Sequence, residues 1–98
     1  MIFHVPVMLE KSIEMLNIKP DGIYIDATYG GGNHSDEILK KLNKKGLLIA
    51  IDQDEDAIKQ SKKIHIDNFM LIHGNFKYLK NYLRYLNISY VDGIFADL

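Results

Sequence analysis

The chain has 98 residues, 47% of them hydrophobic, which is enough for one small domain with a core and too few for two. The formal net charge of -1 argues against a nucleic-acid footprint spread over the whole surface, while leaving room for a local basic patch. The absence of cysteine excludes a disulfide framework and a thiolate metal site. The N-terminus has no secretory pattern and no apolar run nears the ~20 residues that span a bilayer, so the chain reads as a cytoplasmic α/β domain with no membrane partner.

The opening His4-Val5-Pro6-Val7-Met8-Leu9 leads into a short helical pattern, with Pro6 suited to a first turn and Met8, Ser12, Ile13 and Leu16 near one face. Lys19-Pro20-Asp21-Gly22 breaks it. Ile23 to Ala27 reads as a strand, followed by Gly30-Gly31-Gly32 and a helix from about Asn33 to Leu42. Asp36 and Glu37 in its first turn and lysines at its end suit the helix dipole. Leu47 to Ile51 is apolar without alternation, the pattern of a strand covered on both faces. Asp54 is placed to cap a helix running to about Ile64. Phe69 to His73 reads as a third strand, Phe76, Leu79, Leu83 and Leu86 as the inner face of a helix, and Ile94 to Ala96 as a fourth strand. This alternation predicts a Rossmann-like half of a doubly wound α/β fold: about four parallel strands with right-handed crossover helices. With no helix after the last strand, a bare sheet edge is expected there, open to self-association.

The glycines between a strand and a helix allow close approach of a ligand to backbone N–H groups. Asp52 ends the next strand, where an acid binds ribose hydroxyls. Together these favour a bound nucleoside. The register Gly30-x-Gly32-x-x-Ser35 departs from a dinucleotide fingerprint only by serine, so the pattern alone does not decide between a nicotinamide oxidoreductase, a methyltransferase and a non-catalytic nucleoside-binding module. Asp26, Asp52 and Asp97 around one crevice would suit a sulfonium and repel a pyrophosphate. No His spacing suggests a metal.

Four segments then carry a more specific likeness: His4 to Glu10; Pro20 to Thr28 running into Gly32-Asn33-His34-Ser35; Ala50 to Asp54 with Ala57-Ile58; and His73-Gly74-Asn75-Phe76 with Asp92 to Leu98. In order and over essentially the whole chain, they resemble the N-terminal part of the RsmH (MraW) family, the 16S ribosomal RNA cytosine-N4 methyltransferases. The resemblance implies S-adenosylmethionine (SAM) as cofactor, 16S rRNA in the small ribosomal subunit as partner, and cofactor contacts at Gly32, Asn33, His34, Asp52, Phe76 and Asp97. It assigns no catalytic residue, Asp97 being a candidate to orient the target amine. Asn33 stands where the family has glycine, and asparagine is the side chain that best tolerates left-handed geometry. The family continues past the Asp-Leu segment into further catalytic sequence and an RNA-binding insertion, so the 98 residues alone are expected to be inactive.

Overall fold

The computed structural model describes residues 4–5, 17–27, 33–59 and 66–95. Its elements are β1 (His4–Val5), β2 (Ile23–Asp26), α1 (Asn33–Lys41), β3 (Leu47–Asp52), α2 (Glu55–Lys59), β4 (Phe69–His73), a 3-10 turn (Phe76–Tyr78) running into α3 (Leu79–Tyr85), and β5 (Gly93–Phe95). The strands form one sheet in the order β1-β5-β2-β3-β4, and every pairing is parallel. The four strands read from the sequence are all present.

A fifth strand joins them. His4–Val5, expected only to lead into a helix, pairs with Ile94 and Phe95. Two residues are too few for any periodicity to register. The strand also moves the expected bare edge: β5 lies between β1 and β2, and the sheet ends at β1 and β4. The helical pattern expected from Pro6 to Leu16 and the far half of the helix expected to reach Ile64 lie outside the described residues.

Parallel pairing buries both faces of the sheet, and the period of two along each strand divides the core in two. Tyr24, Leu48, Ala50, Phe69 and Phe95 face α1, where Ile38 is buried among them and Leu39 and Leu42 pack alongside. Ile25, Ile49, Ile51 and Ile94 face the other way with Val91, against Leu79, Tyr82, Leu83 and Leu86 of α3 and its C-cap. The unbroken apolar run Leu47 to Ile51 is therefore a central strand shared by two cores.

The amino ends of the strands are joined below this core. The Asp92 carboxylate accepts from Ile23 N at 2.8 Å, and Asp92 N donates to the Ile23 carbonyl at 2.7 Å, fixing β5 beside β2. The Tyr24 hydroxyl accepts from Lys19 N at 2.8 Å. Burial raises the Tyr24 pKa above its ordinary value, reinforced by the negative charge of Asp92 and opposed by that Lys19 N–H.

A candidate nucleoside site at the carboxyl rim

Because all strands run the same way, their carboxyl ends share one rim. Asp26 lies in register with Ala50 on one side and Phe95 on the other, and Asp52 with His73. The chain crosses from β2 to β3 in one direction, and β5 returns to the opposite side of β2. That reversal of strand order leaves a crevice above β2 and β5, where ligands bind in open parallel sheets.

Asp26 is fully buried at the end of β2, on the α1 face by the alternation that puts Tyr24 there. Ser35, also fully buried, donates its hydroxyl to Asp26 Oδ2 at 2.7 Å. This bond joins the end of β2 to the first turn of α1, across the glycine run. It explains the serine where a dinucleotide fingerprint carries glycine: the side chain reaches the carboxylate, and glycine has none. Ala27 N donates to the Phe95 carbonyl at 2.8 Å, so the strand leaving the core stays tied to β5.

Asn33 is the first residue of α1, so it has right-handed helical backbone. The left-handed residues among those described are Asn17 and Asn87. With helical backbone, Asn33 does not need the left-handed geometry that glycine would ease. The N–H groups of Asn33 and His34, in the first turn, have no carbonyl partner within the helix. Gly30 to Gly32 and Asp97 lie outside the described residues.

Asp52 is half-buried at the end of β3. Its Oδ1 accepts from Asp54 N at 2.9 Å, and Asp54 Oδ1 accepts from Asp56 N at 2.9 Å, capping α2 as the sequence led one to expect. The neighbouring strand end is fastened to it: Gly74 N donates to the Asp52 carbonyl at 2.9 Å, and His73 Nε2 lies 3.0 Å from the Gln53 carbonyl. Phe76 opens the 3-10 turn and packs partly buried with the core on the α3 side. Asn75 precedes it as N-cap, its side chain accepting from Lys77 N at 2.9 Å.

One contributor was missed from the sequence. The Tyr82 hydroxyl accepts from Asn75 N at 3.1 Å, and a Cβ at Gly74 would overlap that hydroxyl. Tyr82 thereby holds the Gly74-Asn75 turn at the rim. The available signal was a tyrosine among the aliphatic inner positions of the helix, with a small residue eight positions earlier.

The site thus brings together the ends of β2, β3 and β4 and the start of α1, with Asp52 one strand away from the end of β2. A carboxylate for a ribose diol beside helix-terminal N–H donors fits a nucleoside. Among the described residues no three His, Asp or Glu side chains converge as a metal site.

Comparison with known proteins points to a methyltransferase family. The model of the MraW methylase family matches residues 1–98. A Cytophaga hutchinsonii ribosomal RNA small subunit methyltransferase H is 54% identical over 97 residues, covering 99% of this chain and 32% of that protein. The enzyme of the same name from Mycoplasma mycoides is 57% identical over 99 residues, covering 97% of this chain and again 32% of the relative. The chain therefore spans about a third of the length of the curated relatives it matches. Among solved structures, one from Clostridium thermocellum described as an rRNA methylase aligns with a TM-score of 0.65 and 26% identity, over 74% of this chain and 41% of that one. A protein-L-isoaspartate O-methyltransferase shares the fold alone, with a TM-score of 0.58 at 16% identity over 67% of this chain and 22% of that one. These likenesses do not favour the nicotinamide oxidoreductase.

Proposed function

The chain belongs to the MraW methylase family, and from that premise we propose that it supplies the cofactor-binding part of an enzyme that methylates the N4 amine of a cytosine in 16S rRNA. The observation that carries this reading is the rim itself: the Asp26–Ser35 bond joins the end of β2 to the start of α1, and Asp52 ends the adjacent strand. The Asp52 carboxylate is assigned the ribose hydroxyls of S-adenosylmethionine, and the backbone N–H groups of Gly32, Asn33 and His34 its methionine end. Phe76 borders the adenine, by its ring or its backbone. Asp97 follows β5 and is assigned to the cofactor or to orienting the target amine.

S-adenosylmethionine supplies an electrophilic methyl group on a sulfonium. The residues around it provide proximity and alignment, the main protein contribution to such a transfer. A cytosine amine is a weak nucleophile because its lone pair is delocalised into the ring, so the enzyme must hold the base, out of its stack, and give the departing proton a route. The 98 residues are expected to bind cofactor without measurable transfer, and tritium passing from SAM to small-subunit RNA through them alone would contradict this. The reaction belongs in the cytoplasm with the ribosomal subunits. The open edge of the sheet is a further surface for self-association.

The deciding experiment is a titration of the protein with S-adenosylhomocysteine, followed by two-dimensional amide NMR, with NAD as control. The expected result is movement of the Asn33, His34, Asp52 and Phe76 amides with S-adenosylhomocysteine only. Movement with NAD only would transfer the chain to the oxidoreductases. Dispersed spectra that ignore both ligands would leave a nucleoside-binding fold without its ligand.

A further inference from the structure

The 3-10 turn and α3 present two unlike faces. Leu79, Tyr82, Leu83 and Leu86 pack on the sheet. The opposite side exposes Lys77, Lys80 and Arg84 beside Tyr78 and Tyr85. Tyr85 is 88% exposed and Tyr78 47%. They are seven residues apart, which places them on one stripe two helical turns long. The Lys77 ammonium lies 5.0 Å from the centre of the Tyr78 ring, within cation-π range.

The charge on this face is all of one sign. Residues 74–91 contain no Asp or Glu, although the chain carries 13 of them. On α1, Lys40 pairs with Glu37 at 3.1 Å, and on α2, Lys59 pairs with Glu55 at 3.2 Å. Among the described residues, neither Lys77, Lys80 nor Arg84 has a carboxylate partner. A solvated helix face commonly interleaves both signs, as α1 and α2 do. Here uncompensated cations accompany an aromatic ring that is almost wholly in solvent. That combination matches a polyanion that also offers flat apolar rings: cations for phosphates, tyrosine faces for unstacked bases. The upper end of this face follows directly on Gly74-Asn75 at the carboxyl rim, so it is continuous with the candidate site.

We infer that the outer face of the 3-10 turn and α3 is a docking surface for single-stranded RNA, with Lys77, Lys80 and Arg84 on the backbone phosphates and Tyr85 under a base. The inference rests on the rRNA methyltransferase reading for the identity of its RNA and extends it to a surface that adjoins the candidate cofactor crevice. A strand held there is led over the rim toward the cofactor crevice.

The test titrates the protein into fluorescein-labelled oligouridine and reads anisotropy at several salt concentrations, with S-adenosylhomocysteine binding measured on every variant. All substituted side chains are exposed, so the fold is not at stake. The triple variant Lys77→Gln, Lys80→Gln, Arg84→Gln is expected to lower the slope of log affinity against log salt by about 2, and affinity at ~0.1 M salt by roughly 100-fold. Tyr85→Ala is expected to lower affinity about tenfold and leave the salt slope unchanged. Cofactor binding should be the same in all of them. An unchanged slope and affinity in the triple variant would overturn the surface while leaving the cofactor reading intact. Conversely, RNA binding that depends on these residues in a protein that ignores S-adenosylhomocysteine would sustain the surface and remove the enzyme reading. If the substitutions alter the sedimenting mass but not the RNA titration, the face serves a protein partner and the RNA inference fails.

Discussion

Ser35 and Asp26 are nine residues apart, and both are fully buried. Removing the hydroxyl takes a donor from a carboxylate that water cannot reach, which costs about 1–3 kcal/mol. Ser35→Ala should therefore lower urea-unfolding stability by that amount and weaken S-adenosylhomocysteine binding, because this bond ties the start of α1 to the end of β2. A variant with unchanged stability would show that the pair adds nothing. Asp52→Asn probes a different property. It keeps an acceptor for the Asp54 N–H but loses the charge that suits a ribose diol, so cofactor affinity should fall roughly tenfold with little change in stability. Equal losses in both measurements would make Asp52 a structural cap only. Tyr24 gives a pH prediction. Its folded-state pKa is raised, so stability from the neutral phenol is intact below about pH 10 and is lost as pH rises through the folded value. Tyr24→Phe should flatten this alkaline loss while costing about 1 kcal/mol at neutral pH through the Lys19 bond. A Phe variant with the same alkaline profile would assign the loss to other groups. None of these pairings was legible in the sequence as a bond. Asp26 and Ser35 were each visible as polar residues in a motif, but only the crossing of β2 by α1 makes them neighbours.

Among the elements, α3 shows why its ends read less clearly than its middle. The spacing of Leu79, Leu83 and Leu86 announces an inward face, and the structure honours it. Its termination is less visible: Asn87 takes φ 60, Ile88 N donates to the Leu83 carbonyl at 2.8 Å, and Asn87 N donates to the Arg84 carbonyl at 3.1 Å. This is a Schellman closure, and Leu83 and Ile88 both join the core on that side of the sheet. The left-handed residue is asparagine, not the glycine a sequence reader looks for. Alanine at that position meets the steric penalty of left-handed backbone, so Asn87→Ala should cost about 1 kcal/mol in thermal or urea unfolding. Asn87→Gly should match or exceed the parent. An alanine variant as stable as the parent would mean that the cap relaxes out of left-handed geometry. β1 marks the opposite limit. Its two residues carry no pattern of their own, and their strand character comes entirely from the exposed edge of β5 that they cover.

At the scale of the whole molecule, the alternation of helices and strands was enough to specify a parallel sheet, but not which strands would end it. Sequence order makes β5 last, yet topology places it inside, and among the described residues the longer edge strand is β4. The hydrogen bonds show which groups that edge presents. Leu48 N bonds the Asn68 carbonyl and Gly74 N bonds the Asp52 carbonyl, so even-numbered residues of this segment turn toward β3. In a parallel ladder the residues between them turn away. Phe69 N returns to the Ile66 carbonyl, which leaves the N–H groups of Leu71 and His73 directed outward. An apolar edge strand with outward donors is a template for a second chain. We therefore expect concentration-dependent self-association, read as a rising weight-average mass in sedimentation equilibrium. N-methylleucine at position 71 keeps the side chain that packs beside the α1-side core and removes one outward donor without touching the β3 ladder, so it should return the mass toward the monomer. A parent chain that stays monomeric at every concentration would show that twist and the short length of β4 protect the edge. Association that survives the N-methyl group would move the contact elsewhere, first of all to the exposed Tyr78 of the 3-10 turn and Tyr85 of α3.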